Sequence, residues 1–137
     1  CEVAMACDIV IAADDAVFAM PEARFGLVPG YGVLRAPSVV GAQMAKLMVF
    51  AGERLDAESA LRHGLVQRLS TADGLMDEAR SLARTIAAVP PAAIAAGKTL
   101  INAAIDPDRV ALSVETVTAL HSTPESRAAV SSFGGKA

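Results

Sequence analysis

Apolar positions follow strand-like spacing in the first part of the chain and helix-like spacing in the rest. Residues 1–7 (CEVAMAC) are short and alanine-rich and predict the first turns of a buried helix, which Asp8 interrupts. Residues 8–13 (DIVIAA) are β-branched and almost all apolar, as in a strand buried on both faces. Residues 16–20 (AVFAM) follow the turn-like Asp14-Asp15, so two short strands joined by a turn are expected. From Pro21 to Pro37 the breakers Pro21, Gly26, Pro29, Gly30, Gly32 and Pro37 predict an extended loop.

After Gly41 the pattern turns helical. Ala45, Met48 and Val49 mark one face of a helix over 42–51 that Gly52 ends. Asp56 is placed to cap a short helix over 57–63, with Gly64 at its C-terminal end and a third strand over 65–69. A longer amphipathic helix over 74–89 stops at Pro90-Pro91. Helices over 92–105 and 109–120 and a last one starting near Pro124 complete the chain. One compact α/β unit is expected, with strands and loop over residues 1–69 and an almost purely helical region over residues 70–137; the resemblance described below implies that this region serves packing and oligomerisation.

Composition narrows the function classes. Of 137 residues, 53% are hydrophobic and 20% charged, which fits a globular protein. Only 4% are aromatic and none is Trp, so the core is built from aliphatic side chains and Met. Twelve Lys plus Arg against 15 Asp plus Glu leave a net charge of −3, so the basic stripe that nucleic acid requires is not expected. No apolar run approaches the roughly 20 residues of a membrane span, and the first residues lack the charged-then-apolar order of a secretory signal. Cys1 and Cys7 make neither a thiolate cage nor a disulfide framework, so a reducing, cytoplasmic setting is expected. No His, Cys and carboxylate set has metal-ligand spacing. His63 and His121 read as helix-end residues.

Glu2 and Glu22 carry the most chemical content. Glu2 sits in a first helical turn, where the macrodipole favours negative charge, whereas Glu22 lies among Met20, Phe25, Leu27 and Val28, which penalise it. Two carboxyl groups held in unlike settings allow one site both to take and to give a proton.

The segment Cys1-Glu2-Val3-Ala4-Met5-Ala6-Cys7-Asp8, followed by Pro21-Glu22-Ala23 and Gly26-Leu27-Val28-Pro29-Gly30, resembles the enoyl-CoA hydratase (crotonase) superfamily. The similarity continues through residues 35–41, through residues 51–57 and at Gly64-Leu65-Val66. It implies a crotonase-like α/β fold, here the last strands of the β-core followed by helices used for assembly. The implied activity is reversible syn addition of water to a 2-enoyl-CoA, giving a 3-hydroxyacyl-CoA. Glu2 is then expected to activate the water that attacks C3 and Glu22 to protonate C2, with sharing of roles allowed. Gly30 matches a glycine whose amide helps to hold that water. Pro21, Phe25, Leu27 and Tyr31 are expected to contact substrate, and Phe133 and Lys136 to approach coenzyme A. Neither a metal nor a redox cofactor is implied; the partners are an acyl-CoA substrate and further copies of the chain, as a homotrimer or a dimer of trimers.

Two departures accompany the resemblance. The family's oxyanion donors belong to sequence before Cys1, and loss of one such donor typically lowers turnover by on the order of 10² to 10³, so the 137-residue chain alone is expected to be nearly inert. The loop over 29–35 is one residue shorter than the usual glycine-rich version and carries bulky Tyr31, Val33 and Leu34. Alternative readings are a non-catalytic form that only oligomerises or binds acyl-CoA, and an enoyl-CoA isomerase.

Overall fold

The computed structural model describes residues 1–102 and 107–134. A five-residue helix α1 (Glu2–Ala6) leads into strands β1 (Ile11–Ala13) and β2 (Val17–Ala19) and a 3₁₀ turn, Glu22–Phe25. Next come α2 (Gly32–Val39), α3 (Ala42–Lys46) with a π-helical turn Leu47–Ala51, β3 (Arg54–Asp56), α4 (Ala57–Arg62) and β4 (Arg68–Ser70). Four helices close the order: α5 (Leu75–Ala87), α6 (Pro91–Asn102), α7 (Pro107–His121) and α8 (Pro124–Gly134).

The two early strands exist, yet they do not form a hairpin. β1 pairs in parallel with β4, setting Ala12 opposite Leu69, and β2 pairs antiparallel with β3, setting Phe18 opposite Leu55. The Asp14-Asp15 turn is present, closed by Ala16 N donating to Ala13 O at 3.1 Å, but it redirects the chain from one ladder to the other. Gln67 extends the parallel ladder: its backbone N donates to Val10 O at 2.9 Å, and its side-chain Oε1 accepts from Val10 N at 2.8 Å. The third strand therefore lies at Arg68–Ser70, later than the expected 65–69, while Leu65 and Val66 are fully buried core residues ahead of it.

The predicted loop over 21–37 is only partly a loop, because α2 occupies its second half. Pro37 lies inside α2 and is exposed. A proline removes one N–H and crowds the carbonyl four residues back, which is tolerable near the end of so short a helix; Val40 N then closes it on Ala36 O at 2.8 Å. The predicted helix over 42–51 likewise tightens into α3 and widens into the π turn before Gly52, whose left-handed φ of 65° ends it. Helix α1 is shallower than expected, with Met5 its one buried residue.

The core gathers Met5, Ala12, Met20, Ala36, Met48 and Leu55 from these early elements, joined by Ala60, Leu65 and Val66. Neither α5 nor α6 has a buried residue. No helix among the described residues is long and apolar enough to cross a membrane.

Candidate active site

Glu2 begins α1, and its Oε1 accepts a close hydrogen bond from the backbone N–H of Gly32, the first residue of α2. The first N–H groups of a helix have no partner within it and carry its positive dipole end, so a carboxylate there is both oriented and stabilised. α2 has no side-chain cap of its own from Tyr31; Glu2 fulfils that role from the neighbouring helix.

Glycine is required at position 32 by close approach. A Cβ there would meet Met20 Sδ at 2.6 Å, Pro29 Cβ at 3.0 Å and Glu2 Oε1 at 3.2 Å. Glu2, Met20, Pro29 and Gly32 therefore converge on one spot. Glu22 is joined to that cluster along the chain, since Pro21 turns the strand-end residue Met20 into the 3₁₀ turn that Glu22 opens.

The Glu22 turn is fastened on several sides. Leu27 N donates to Glu22 O at 3.1 Å, and Arg24 N donates to Pro21 O at 3.0 Å. Arg24 also reaches out of the turn, its Nη2 donating to Ala51 O at 3.3 Å, so a guanidinium meets the carbonyl end of the π turn. Helix α8 packs on the same turn through Ser126, whose backbone lies 3.5 Å from where a Gly26 Cβ would stand. Within this clamp Glu22 Oε2 is buried with no hydrogen-bond partner, and so is Ser126 Oγ. Buried polar atoms in folded proteins are nearly always paired, and an orphan at a candidate site calls for a ligand or water that supplies a donor.

The remaining expected residues fall in distinct places. Pro21 caps the 3₁₀ turn; Phe25 ends it, half-buried; Leu27 is half-buried just beyond. Gly30 is half-buried, with Val117 of α7 3.6 Å from the position of its absent Cβ. Tyr31 packs on the core and lines a groove of about 510 Å³ between α1, α2 and the α5–α6 helices. Lys136 lies outside the described residues, as does the side chain of Phe133. Among the described residues no group of three His, Cys, Asp or Glu side chains is arranged to hold a metal.

Sequence reasoning did not single out Gly32 as the donor to Glu2, nor Arg24 and Ser126 as the fastenings of the Glu22 turn. A glycine on each side of Tyr31 was the available signal for the first. Nothing local signals the other two, because their partners are distant in the chain.

Paired short ladders, a clamped turn bearing one carboxyl group and a helix start bearing another belong to a mixed α/β molecule. The enoyl-CoA hydratase/isomerase family profile matches residues 1–134, and the chain belongs to that family. A carnitinyl-CoA dehydratase from Citrobacter koseri is 45% identical over 103 residues, which is 74% of this chain and 40% of that protein. The crystal structure of an enoyl-CoA hydratase/isomerase from Pseudoalteromonas atlantica superposes with a TM-score of 0.90 at 29% identity, covering 98% of this chain and 56% of that one. A carnitinyl-CoA hydratase from Mycobacterium avium gives a TM-score of 0.89 at 27% identity over 98% of this chain and 54% of that one. The chain thus spans about two fifths of the length of that curated relative and a little over half of those solved structures.

Proposed function

We propose that this chain carries the acid–base pair of a hydratase-type site that adds water reversibly across the 2,3 double bond of an acyl-CoA thioester. In the hydration direction the water oxygen bonds to C3 while Glu2 takes the water's proton, and Glu22 delivers a proton to C2. The observation that carries this reading is the buried, unpartnered Oε2 of Glu22 on a turn fastened at both ends, two residues after the Met20 that meets, at Gly32, a Glu2 whose Oε1 is already fixed by the Gly32 amide. One oxygen of Glu2 is spent on orientation, and the other is left for water.

The names of the relatives support the reaction type. Carnitinyl-CoA is a 3-hydroxyacyl thioester, so the dehydratase named for it runs the same chemistry in reverse. The chain's substrate is read more broadly as a 2-enoyl-CoA or its 3-hydroxy product. The chemistry needs no metal or redox cofactor, since proton transfers and thioester polarisation suffice.

The test is crotonyl-CoA hydration by a full-length subunit that carries this chain. Glu22→Gln and Glu2→Gln each lower turnover about 10² to 10⁴-fold, the usual contribution of a positioned acid or base. Near-normal turnover in Glu22→Gln overturns the assignment. A second reading makes Glu2 only the cap of α2, as its bond to Gly32 favours. A glutamine oxygen can still accept from Gly32 N–H, so that reading requires Glu2→Gln to remain fully active.

Residues 1–69 hold this chemistry in the proposal, and residues 70–137 serve packing and assembly. Leu100, Ile101, Leu112 and Val114 are 76%, 78%, 62% and 61% exposed, a load of apolar surface on α6 and α7 that association would cover. A homotrimer or dimer of trimers is the proposed state, and sedimentation of a monomer at micromolar concentration would refute it.

A further inference from the structure

We propose that Ser126 is a positioning residue for Glu22: one bound water joins the Ser126 hydroxyl to Glu22 Oε2, so that α8 holds the carboxyl group of the turn. What this link does for the reaction rests on the hydratase-type reading; the link itself does not. Ser126 is the one fully buried polar residue among those described. Its backbone lies 3.5 Å, and its Cβ 3.7 Å, from where a Gly26 Cβ would stand. Gly26 ends the turn that Glu22 opens, and the next amide, Leu27 N, returns to Glu22 O at 3.1 Å. α8 therefore bears directly on the loop of backbone that carries Glu22. Each side of this contact holds one orphan, Glu22 Oε2 on the turn and Ser126 Oγ on the helix, and no other buried side-chain N or O among the described residues lacks a partner.

The hydroxyl is free because its own helix does not use it. Hydroxyls in helices commonly bond back to the carbonyl four residues earlier, and Thr116, Thr118 and Ser122 do so at 2.8, 2.9 and 3.1 Å. The corresponding carbonyl for Ser126, that of Ser122, takes Arg127 Nη2 at 2.9 Å instead. The cap of α8 leaves the hydroxyl free as well. Thr123 Oγ1 accepts from Ser126 N at 3.2 Å, but Thr123 N donates to Leu120 O at 3.0 Å, so the return bond that the third helical residue gives in a capping box is not formed.

Hydrogen-bond chemistry explains why a hydroxyl stands here. An ionised carboxylate only accepts, a protonated one also donates, and a serine hydroxyl does both. A water between Ser126 and Glu22 can turn to suit either state, and a group that gives a proton to C2 and later regains one passes through both. Glu22 then matches Glu2, with one oxygen held and the other left for the reaction. Without such a partner the buried hydroxyl is only a cost, and alanine would be the more stable residue.

Urea unfolding of the 137-residue chain tests the link. Ser126→Ala should lower the folding equilibrium constant about fivefold, whereas in a Glu22→Met background, which lacks the acceptor, it should not. A Ser126→Ala chain as stable as the parent or more so, or equal effects in the two backgrounds, overturns the link. A crystal structure of a full-length subunit should show one water within hydrogen-bonding distance of both oxygens, and its absence overturns the bridge. In that subunit Ser126→Ala should lower kcat for crotonyl-CoA about tenfold at unchanged KM, and add nothing to Glu22→Gln. A normal kcat, or the same tenfold loss on top of Glu22→Gln, overturns the positioning role. A fully active Glu22→Gln refutes the hydratase reading instead, and the unfolding cycle and the water still decide the link.

Discussion

Gly32 shows how one residue couples packing to the placement of a carboxylate. Its N–H holds Glu2, and its missing side chain leaves room for Met20 and Pro29. Gly32→Ala puts a methyl group 2.6 Å from Met20 Sδ and is expected to destabilise the chain by about 1–3 kcal/mol, as overpacking of a tight site does, despite the better helix propensity of alanine. Urea unfolding measures it, and unchanged stability would show that Met20 moves aside freely. Both acids were legible from the sequence as carboxylates in apolar or helix-start settings. The donor was not: the resemblance gave the Gly30 amide a role toward water and named no donor for Glu2, which the amide of Gly32 supplies. Two glycines one residue apart look alike in a sequence, and only the path of α2 decides which N–H points at α1.

At the level of elements, end chemistry was readable and pairing was not. Asp56 does cap α4, its Oδ1 accepting from Ser59 N at 2.7 Å. Hydrogen bonds from the Ser59 side chain and then its backbone hold the Asp56 carboxyl below the usual aspartate range. A carboxyl with a depressed folded pKa contributes stability above its unfolded value and loses it as pH falls through the folded one. The cap's contribution is therefore intact at neutral pH and disappears in strong acid. Acid unfolding followed by circular dichroism should begin at higher pH in the parent than the α4 helix loss seen for Asp56→Asn, which keeps an acceptor oxygen that does not titrate. If both titrate alike, the cap has no part in acid unfolding. Gly52 also ends its element as expected, and Gly52→Ala meets both a φ of 65° and Arg24 Nε at 2.7 Å. It should destabilise by about 1–2 kcal/mol and loosen the Glu22 turn, which an amide-exchange measurement at Phe25 to Leu27 would detect. The strands are different. Three-residue apolar segments carry no register, so nothing local distinguishes a β1–β2 hairpin from the observed β1–β4 and β2–β3 ladders.

Across the whole molecule, burial is uneven. The hydrophobic core runs from Met5 to Val66, whereas α5 and α6 have no buried residue. Regions with few buried contacts open locally at little free energy. Backbone amides of α6 should therefore exchange with solvent well before those of β1 and β4 in the isolated chain, and equal protection would contradict this. The Lys98–Asp8 pair that links α6 to the end of α1 is more than half exposed on both sides, so it orients α6 more than it stabilises it. By itself the sequence determined the aliphatic core, the helical second half, the cap of α4 and the two acids, because each follows from spacing or chemistry within a few residues. The tertiary structure alone decided the strand partners, the Gly32 amide on Glu2, the Arg24 and Ser126 fastenings of the Glu22 turn and the groove beside Tyr31. Each of these joins residues far apart in the chain, and such contacts are selected by the packing of the entire core, which no local window contains.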